Sequence, residues 1–274
     1  MQSFKTVAPV LNWVCVGSYF LCLSLGCMCK SALGMWLGME LALYGLVVMM
    51  VMAEVRIFVV VFYYVIQSVG SGTMIWGYLA FYPLLALGAF LKLGLMPFSY
   101  WVYVVVHEVS SGEMLFYILG LQKLMPLVFI FTFVKLDWLF VAGSGLSCMV
   151  AALAMLSLNN ISLVLCGSSV IHTAWMVVMF SLQPGLCWAY YFVYLGILWL
   201  IVKYMSLLGS VLLACLSSVP PLAGFYLKWA MFTGHVGTYL SLAGGFMLIS
   251  AVTVLGYVNK FSLGALDVSV VGLD

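Results

Sequence analysis

Apolar residues run through the chain in long continuous blocks, and the polar positions between the blocks are few. A helix crossing the hydrocarbon core of a bilayer needs about 20 apolar residues, and the blocks have that length. They predict about ten helices, at 10–28, 31–52, 57–69, 73 to beyond 101, 114–133, 138–156, 161–180, 186–202, 207–232 and 239–258. Polar punctuation separates them at Lys30, at Glu54 and Arg56, at Gly70-Ser71-Gly72, and from His107 to Glu113. It returns at Lys135 and Asp137, Asn159-Asn160, Gln183-Pro184-Gly185, Lys203 and Lys260. A porin-like barrel would alternate polar and apolar positions along each strand, and this chain does not.

Two blocks carry their own interruption. The fourth contains Lys92-Leu93-Gly94-Leu95-Met96-Pro97, a lysine, a flexible glycine and a helix-breaking proline deep in apolar sequence. Proline removes a backbone donor and clashes with the preceding turn, so a kink or opening is expected there. A lysine at bilayer depth costs roughly 2.5–3.5 kcal/mol even on the lenient insertion scale. Irregular backbone at that depth is tolerated where it is shielded by protein or lines a cavity, as in transporters. The ninth block is interrupted at Val219-Pro220-Pro221-Leu222-Ala223-Gly224, and Lys228 follows. Lysine precedes the break in one block and follows it in the other. Five helices apart, the two would cross in opposite directions, so reversed order is what an inverted repeat produces. The division is 1–135 for a first five-helix repeat and 136–274 for a second with a short tail.

Composition agrees: 67% of the 274 residues are hydrophobic, 6% are charged, and the mean hydropathy is +1.27. A water-soluble surface cannot be built from that balance. The net charge of +2 and the absence of a basic cluster argue against nucleic acid. The eight cysteines form no C-x-x-C pair, which disfavours metal and redox roles and leaves them as small buried hydrophobes. Residues 1–9 lack the pattern of a cleavable signal or transit peptide. Abundant Phe, Leu, Val, Gly, Trp and Cys suggest an organellar gene with biased base content. Loop lysines and arginines favour the N-terminal side (Lys5, Arg56, Lys203, Lys260) over the other (Lys30, Lys135), which places both termini on the positive-inside face.

The other candidate residues are Glu40, the only acid at mid-span depth, Lys123 before Pro126, and His172 in Ser168-Ser169-Val170-Ile171-His172. His172 reads either as a hydrogen-bonded core residue or as a proton relay. The turn at His107-Glu108 has no second histidine at metalloprotease spacing and reads as solvated.

With these residues in hand, the chain resembles the chain 2 family of mitochondrial NADH:ubiquinone oxidoreductase, respiratory complex I, a family of antiporter-like subunits. The resemblance rests on Lys92 to Phe98 with Trp101-Val102, Leu121-Gln122-Lys123-Leu124-Met125-Pro126, Val219 to Phe225 with Lys228-Trp229, and Ser168 to His172 with Trp175-Met176. It implies an all-α polytopic membrane protein, with two inverted five-helix repeats and two broken helices. Glu40 and Lys92 would be the family's glutamate–lysine pair, Lys123 its central lysine, and Lys228 the lysine of the second broken helix. Against the family the loops read as trimmed, the last helix is expected to be absent, and Tyr103-Val104-Val105-Val106-His107-Glu108 follows Trp101.

The implied function is proton translocation within complex I, in the mitochondrial inner membrane. The implied partners are other membrane-arm subunits and lipids such as cardiolipin. Flavin, iron–sulfur clusters and quinone would sit in other subunits, with no cofactor on this chain. A buried lysine facing a movable carboxylate suits the task, because changing their separation loads or releases a proton. His172 would complete the path. A free-standing cation/proton antiporter and a non-transporting structural subunit are the alternatives.

Overall fold

A computed structural model describes residues 2–134, 138–158, 160–204, 212–213, 215–216, 223–234 and 244–257. Among these residues the chain is helical and contains no strand, and it is an all-α multi-pass membrane protein. Six helices are long and apolar enough to span a bilayer, and Asn12–Met28, Tyr82–Leu93 and Gly244–Tyr257 are shorter apolar helices. The surface confirms the environment. Trp13, Met28, Phe58 and Trp138 are each more than 75% exposed, whereas Lys92, Lys123, Lys228 and His172 are buried. That is a soluble protein's arrangement turned inside out. The chain divides into two compact units, Met1–Lys135 and Leu136–Asp274.

The first unit opens with α1 (Gln2–Met28) and α2 (Ala32–Met52). Ser31 starts α2 by accepting a hydrogen bond from the Gly34 amide at 3.2 Å. The two helices cross where Gly26 meets Gly38; a Cβ on Gly38 would lie 2.6 Å from the Gly26 Cα. Small residues let backbones approach this closely.

The third helix, α3 (Ile57–Leu79), runs straight through Gly70-Ser71-Gly72, where the polar residues had suggested an end. With no water to receive freed amides, a helix in a membrane continues through glycine and serine. Ser68 and Thr73 return their hydroxyls to carbonyls of the preceding turn. The fourth helix, α4 (Tyr82–Leu93), therefore begins after that point, with Pro83 in its first turn, where a missing N–H breaks no bond.

The break expected at Lys92–Pro97 is present. Gly94 ends α4 in the left-handed conformation, φ 69°. Its amide bonds the Leu91 carbonyl and the Leu95 amide bonds that of Phe90, the Schellman closure. The chain resumes as α5 (Tyr100–Glu108).

A second break lies in the helix expected to run unbroken over 114–133. Here α6 (Gly112–Leu119) gives way to a 3-10 turn, Leu121–Lys123, before α7 (Leu124–Phe133). Pro126 cannot bond the carbonyl four residues back, but it is harmless in the first turn of a new helix. The helix accordingly restarts at Leu124 and leaves Gln122 and Lys123 in the gap.

The second unit contains α8 (Trp138–Ser157), α9 (Ile161–Leu182), α10 (Pro184–Lys203), α11 (Ala223–Gly234) and α12 (Gly244–Tyr257). From Val164 to Met179, α9 is buried on every side and forms the centre of this unit. The break expected at Val219–Leu222 lies outside the described residues, while Lys228 beyond it falls within α11.

Candidate functional site

In the first unit the site is assembled on three helices. Lys92 occupies the last turn of α4 and is 2% exposed. The unpaired carbonyls at a helix C-terminus carry partial negative charge, which favours a cation in that turn. Its stem lies against Gly70 of α3; a Cβ there would come within 3.0 Å of Lys92 Cγ. The α3–α4 hairpin is closed by two further glycines. A Cβ on Gly77 would be 2.0 Å from the Leu85 amide nitrogen, and one on Gly88 would be 2.5 Å from that of Met74.

Glu40 reaches this region from α2. Its carboxylate accepts a hydrogen bond from Ser71, the residue after Gly70, and lies within Coulombic reach of Lys92. Positions 70 and 71 of α3 thus touch both members of the expected pair. The Trp101 indole donates to the Leu91 carbonyl at 2.9 Å and pins the start of α5 beside the end of α4.

Lys123 is 4% exposed and sits in the 3-10 turn of the same unit. Its neighbour Gln122 accepts a hydrogen bond from the buried Tyr19 hydroxyl of α1 at 3.3 Å. An irregular turn, a lysine and an amide are held together here.

In the second unit His172 is 4% exposed, with Nδ1 2.5 Å from the Tyr190 hydroxyl and its ring 4.9 Å from that of Tyr194. The Tyr194 hydroxyl interacts in turn with Ser169, one turn back on α9. One turn onward, Trp175 presents its face to Lys228, whose ammonium is 4.9 Å from the ring centroid. Cys148 of α8 also interacts with Lys228. His172 and Lys228 therefore flank adjacent positions of α9, since residues three apart share a helix face.

All five expected residues occupy helices or helix breaks; Lys92, Lys123, His172 and Lys228 are buried, and Glu40 is partly exposed. Glu40 and Lys92 come together; Lys228 lies against Trp175, three residues beyond His172 on α9, and Lys123 forms its own centre. Sequence reading assigned no role to Gln67, Tyr190 or Tyr194, took Ser71 as punctuation between helices, and met Trp175 only in a stretch that carries the family resemblance. Gln67 and Ser71 could have been flagged by their i, i+4 spacing on a helix with few other polar groups. The tyrosines gave no signal in a chain with 16 of them. The turn at His107–Glu113 is less free than expected, because Glu108 is 17% exposed and binds Arg56 at 2.8 Å. Among the described residues no group of three or more His, Cys, Asp or Glu is placed to hold a metal ion.

No protein-family model matches the chain. It is similar to NADH-ubiquinone oxidoreductase chain 2 of Artemia franciscana, at 27% identity over 80% of this chain and 78% of that relative. The same protein of Mytilus edulis aligns at 29% identity over 74% of this chain and 71% of its own length. That of Dugong dugon aligns at 31% identity over 51% of this chain and 46% of its own. Among solved structures, a chain of respiratory complex I from Thermus thermophilus with bound aureothin matches with a TM-score of 0.79. Its identity is 18%, over 91% of this chain and 69% of that one, and the likeness establishes the fold. The expectation from the motifs is met: in sequence the chain is similar to NADH-ubiquinone oxidoreductase chain 2, and in fold to a chain of respiratory complex I.

Proposed function

We propose that this chain is a proton-translocating membrane-arm subunit of respiratory complex I in the mitochondrial inner membrane, coupling NADH:ubiquinone electron transfer to proton pumping. One observation carries the reading: a buried lysine, Lys92, ends a half-helix within Coulombic reach of a partly exposed carboxylate, Glu40. The relatives named NADH-ubiquinone oxidoreductase chain 2 supply the assembly in which such a pair would work.

The chain consists of about ten spans arranged as two inverted five-helix repeats, 1–135 and 136–274, each with a broken helix. Glu40 holds the proton on Lys92 while the two are close. Displacing the carboxylate removes that stabilisation and releases the proton. Lys123 receives it in the second break, and His172 with Tyr190 passes charge onward to Lys228. The chain itself carries no flavin, iron–sulfur cluster or quinone; redox chemistry belongs to neighbouring subunits, whose conformational work arrives here as charge displacement. Its partners are the other membrane-arm subunits and surrounding lipid, cardiolipin included, and not nucleic acid.

The test is assembly. On a native gel the chain should comigrate with a large NADH-oxidising complex. Migration apart from that complex, with cation/proton exchange by the isolated chain, would identify a free-standing antiporter instead.

A further inference from the structure

Away from the buried lysines, the first unit holds a cavity of about 320 Å³ between α1, the end of α2 and the start of α6. Asn12 lines it from α1, Met49 and Met52 from α2, and Ser111, Glu113 and Tyr117 from α6 and its cap. One wall is apolar and polarizable; the other carries a hydroxyl, a carboxylate and a phenol. Cavities of this size hold small ligands, which a few placed polar groups orient.

The cavity lies at the level of lipid headgroups. Helix α2 finishes at Met52 and α6 begins at Gly112, so the lining residues gather where spans end. Trp13, the neighbour of Asn12, is 77% exposed, and tryptophan collects at the membrane interface.

The polar wall selects the charge of what enters. Ser111 is the N-cap of α6, yet its hydroxyl bonds none of the helix amides and is buried with no partner. A serine in that position ordinarily satisfies an amide of the first turn. Here the hydroxyl is left for an occupant of the cavity. Glu113 is exposed and forms no ion pair among the described residues, while Arg56 at the start of α3 is taken by Glu108. The unpaired carbonyls ending α2 add partial negative charge. A primary ammonium answers both groups, with a positive charge for the carboxylate and N–H donors for the hydroxyl. A quaternary ammonium has no N–H to give.

We propose that this cavity binds the headgroup of an aminophospholipid of the phosphatidylethanolamine class, its ammonium held by Glu113 and Ser111. The glycerol end rests against Met49 and Met52, and Asn12 and Tyr117 supply donors for the phosphate. The site requires only that the chain lie in a bilayer, so it stands or falls apart from proton translocation.

Cryo-EM of the assembled complex in nanodiscs of phosphatidylcholine, with and without phosphatidylethanolamine, tests the site. Headgroup density should fill the cavity only with phosphatidylethanolamine, within hydrogen-bond distance of Glu113 and Ser111. Equal density in both lipids would overturn ammonium recognition. An empty cavity, or one filled by a neighbouring subunit, would overturn the lipid altogether. A phosphatidylethanolamine with a photoreactive chain should label the segments around Asn12 and Met52. Glu113→Gln, a change at an exposed position, should cut that labelling about fivefold. Unchanged labelling in Glu113→Gln, or displacement by an equal concentration of free ethanolamine, would count against the proposal.

Discussion

In the first unit the lysine of a half-helix, Lys92, has a carboxylate within Coulombic reach. In the second unit Lys228, equally buried at 2% exposure, has the face of Trp175 at 4.9 Å and the Cys148 thiol. The second unit's acids, Asp137, Asp267 and Asp274, all lie outside the described residues. The two environments differ in how strongly they can be switched. Two unit charges about 7 Å apart at an effective dielectric of ~20 attract by roughly 2.4 kcal/mol, and that energy changes when either moves. A cation over an aromatic face gains about 0.5–2 kcal/mol, and a fixed ring supplies it steadily. On the proposed reading the first lysine responds to a moving charge, whereas among the described residues the second rests against a fixed ring.

The largest expected effect removes the first half of the comparison altogether. Gly77→Ala drives a methyl group into the backbone of Leu85, which no side-chain rotation relieves. The α3–α4 hairpin should fail to close, at a cost above about 3 kcal/mol. On native gels the chain should then be missing from the assembled complex; a wild-type level would mean that the close approach is not as the structure has it.

Next in size is Lys123→Ala, expected to leave the complex assembled and NADH oxidation measurable while proton pumping is lost. The lysine sits buried in the break between α6 and α7. An unchanged proton-to-electron ratio would favour a structural subunit over a translocating one.

Glu40→Gln keeps the Ser71 contact and deletes the charge, so coupled turnover should fall by some tens of times, following the Coulomb energy above. Ser71→Ala in that background should add little, because the bond then holds a neutral amide. A large added loss would show that Ser71 acts on something besides Glu40.

The smallest effect is reserved for the second unit. Trp175→Leu removes the cation–π contact but keeps an apolar wall, and turnover should drop about threefold. If Trp175→Leu proved as damaging as Glu40→Gln, the distinction between a switched and a steady lysine would collapse.

The sequence alone determined the class of protein, the identity of the buried cations and one helix break. Each follows from local chemistry: long apolar blocks mark a membrane protein, charge in an apolar block demands shelter, and Gly94 with Pro97 stops a helix wherever it lies. Resemblance to a known family then named the assembly. Tertiary structure decided which punctuation was real. Gly70-Ser71-Gly72 stays helical within α3 and is where Lys92 and Glu40 make contact, and Gln122-Lys123 is a break because Pro126 could begin a new helix. The α1–α2 crossing pairs Gly38 with Gly26, while Gly34 faces Ser31 and Cys29, which precede α2. Partners chosen across helices, such as Ser71 for Glu40, Tyr190 for His172 and Trp175 for Lys228, depend on packing between distant segments. Periodicity reports which face of a helix is buried; only the folded chain reports against what.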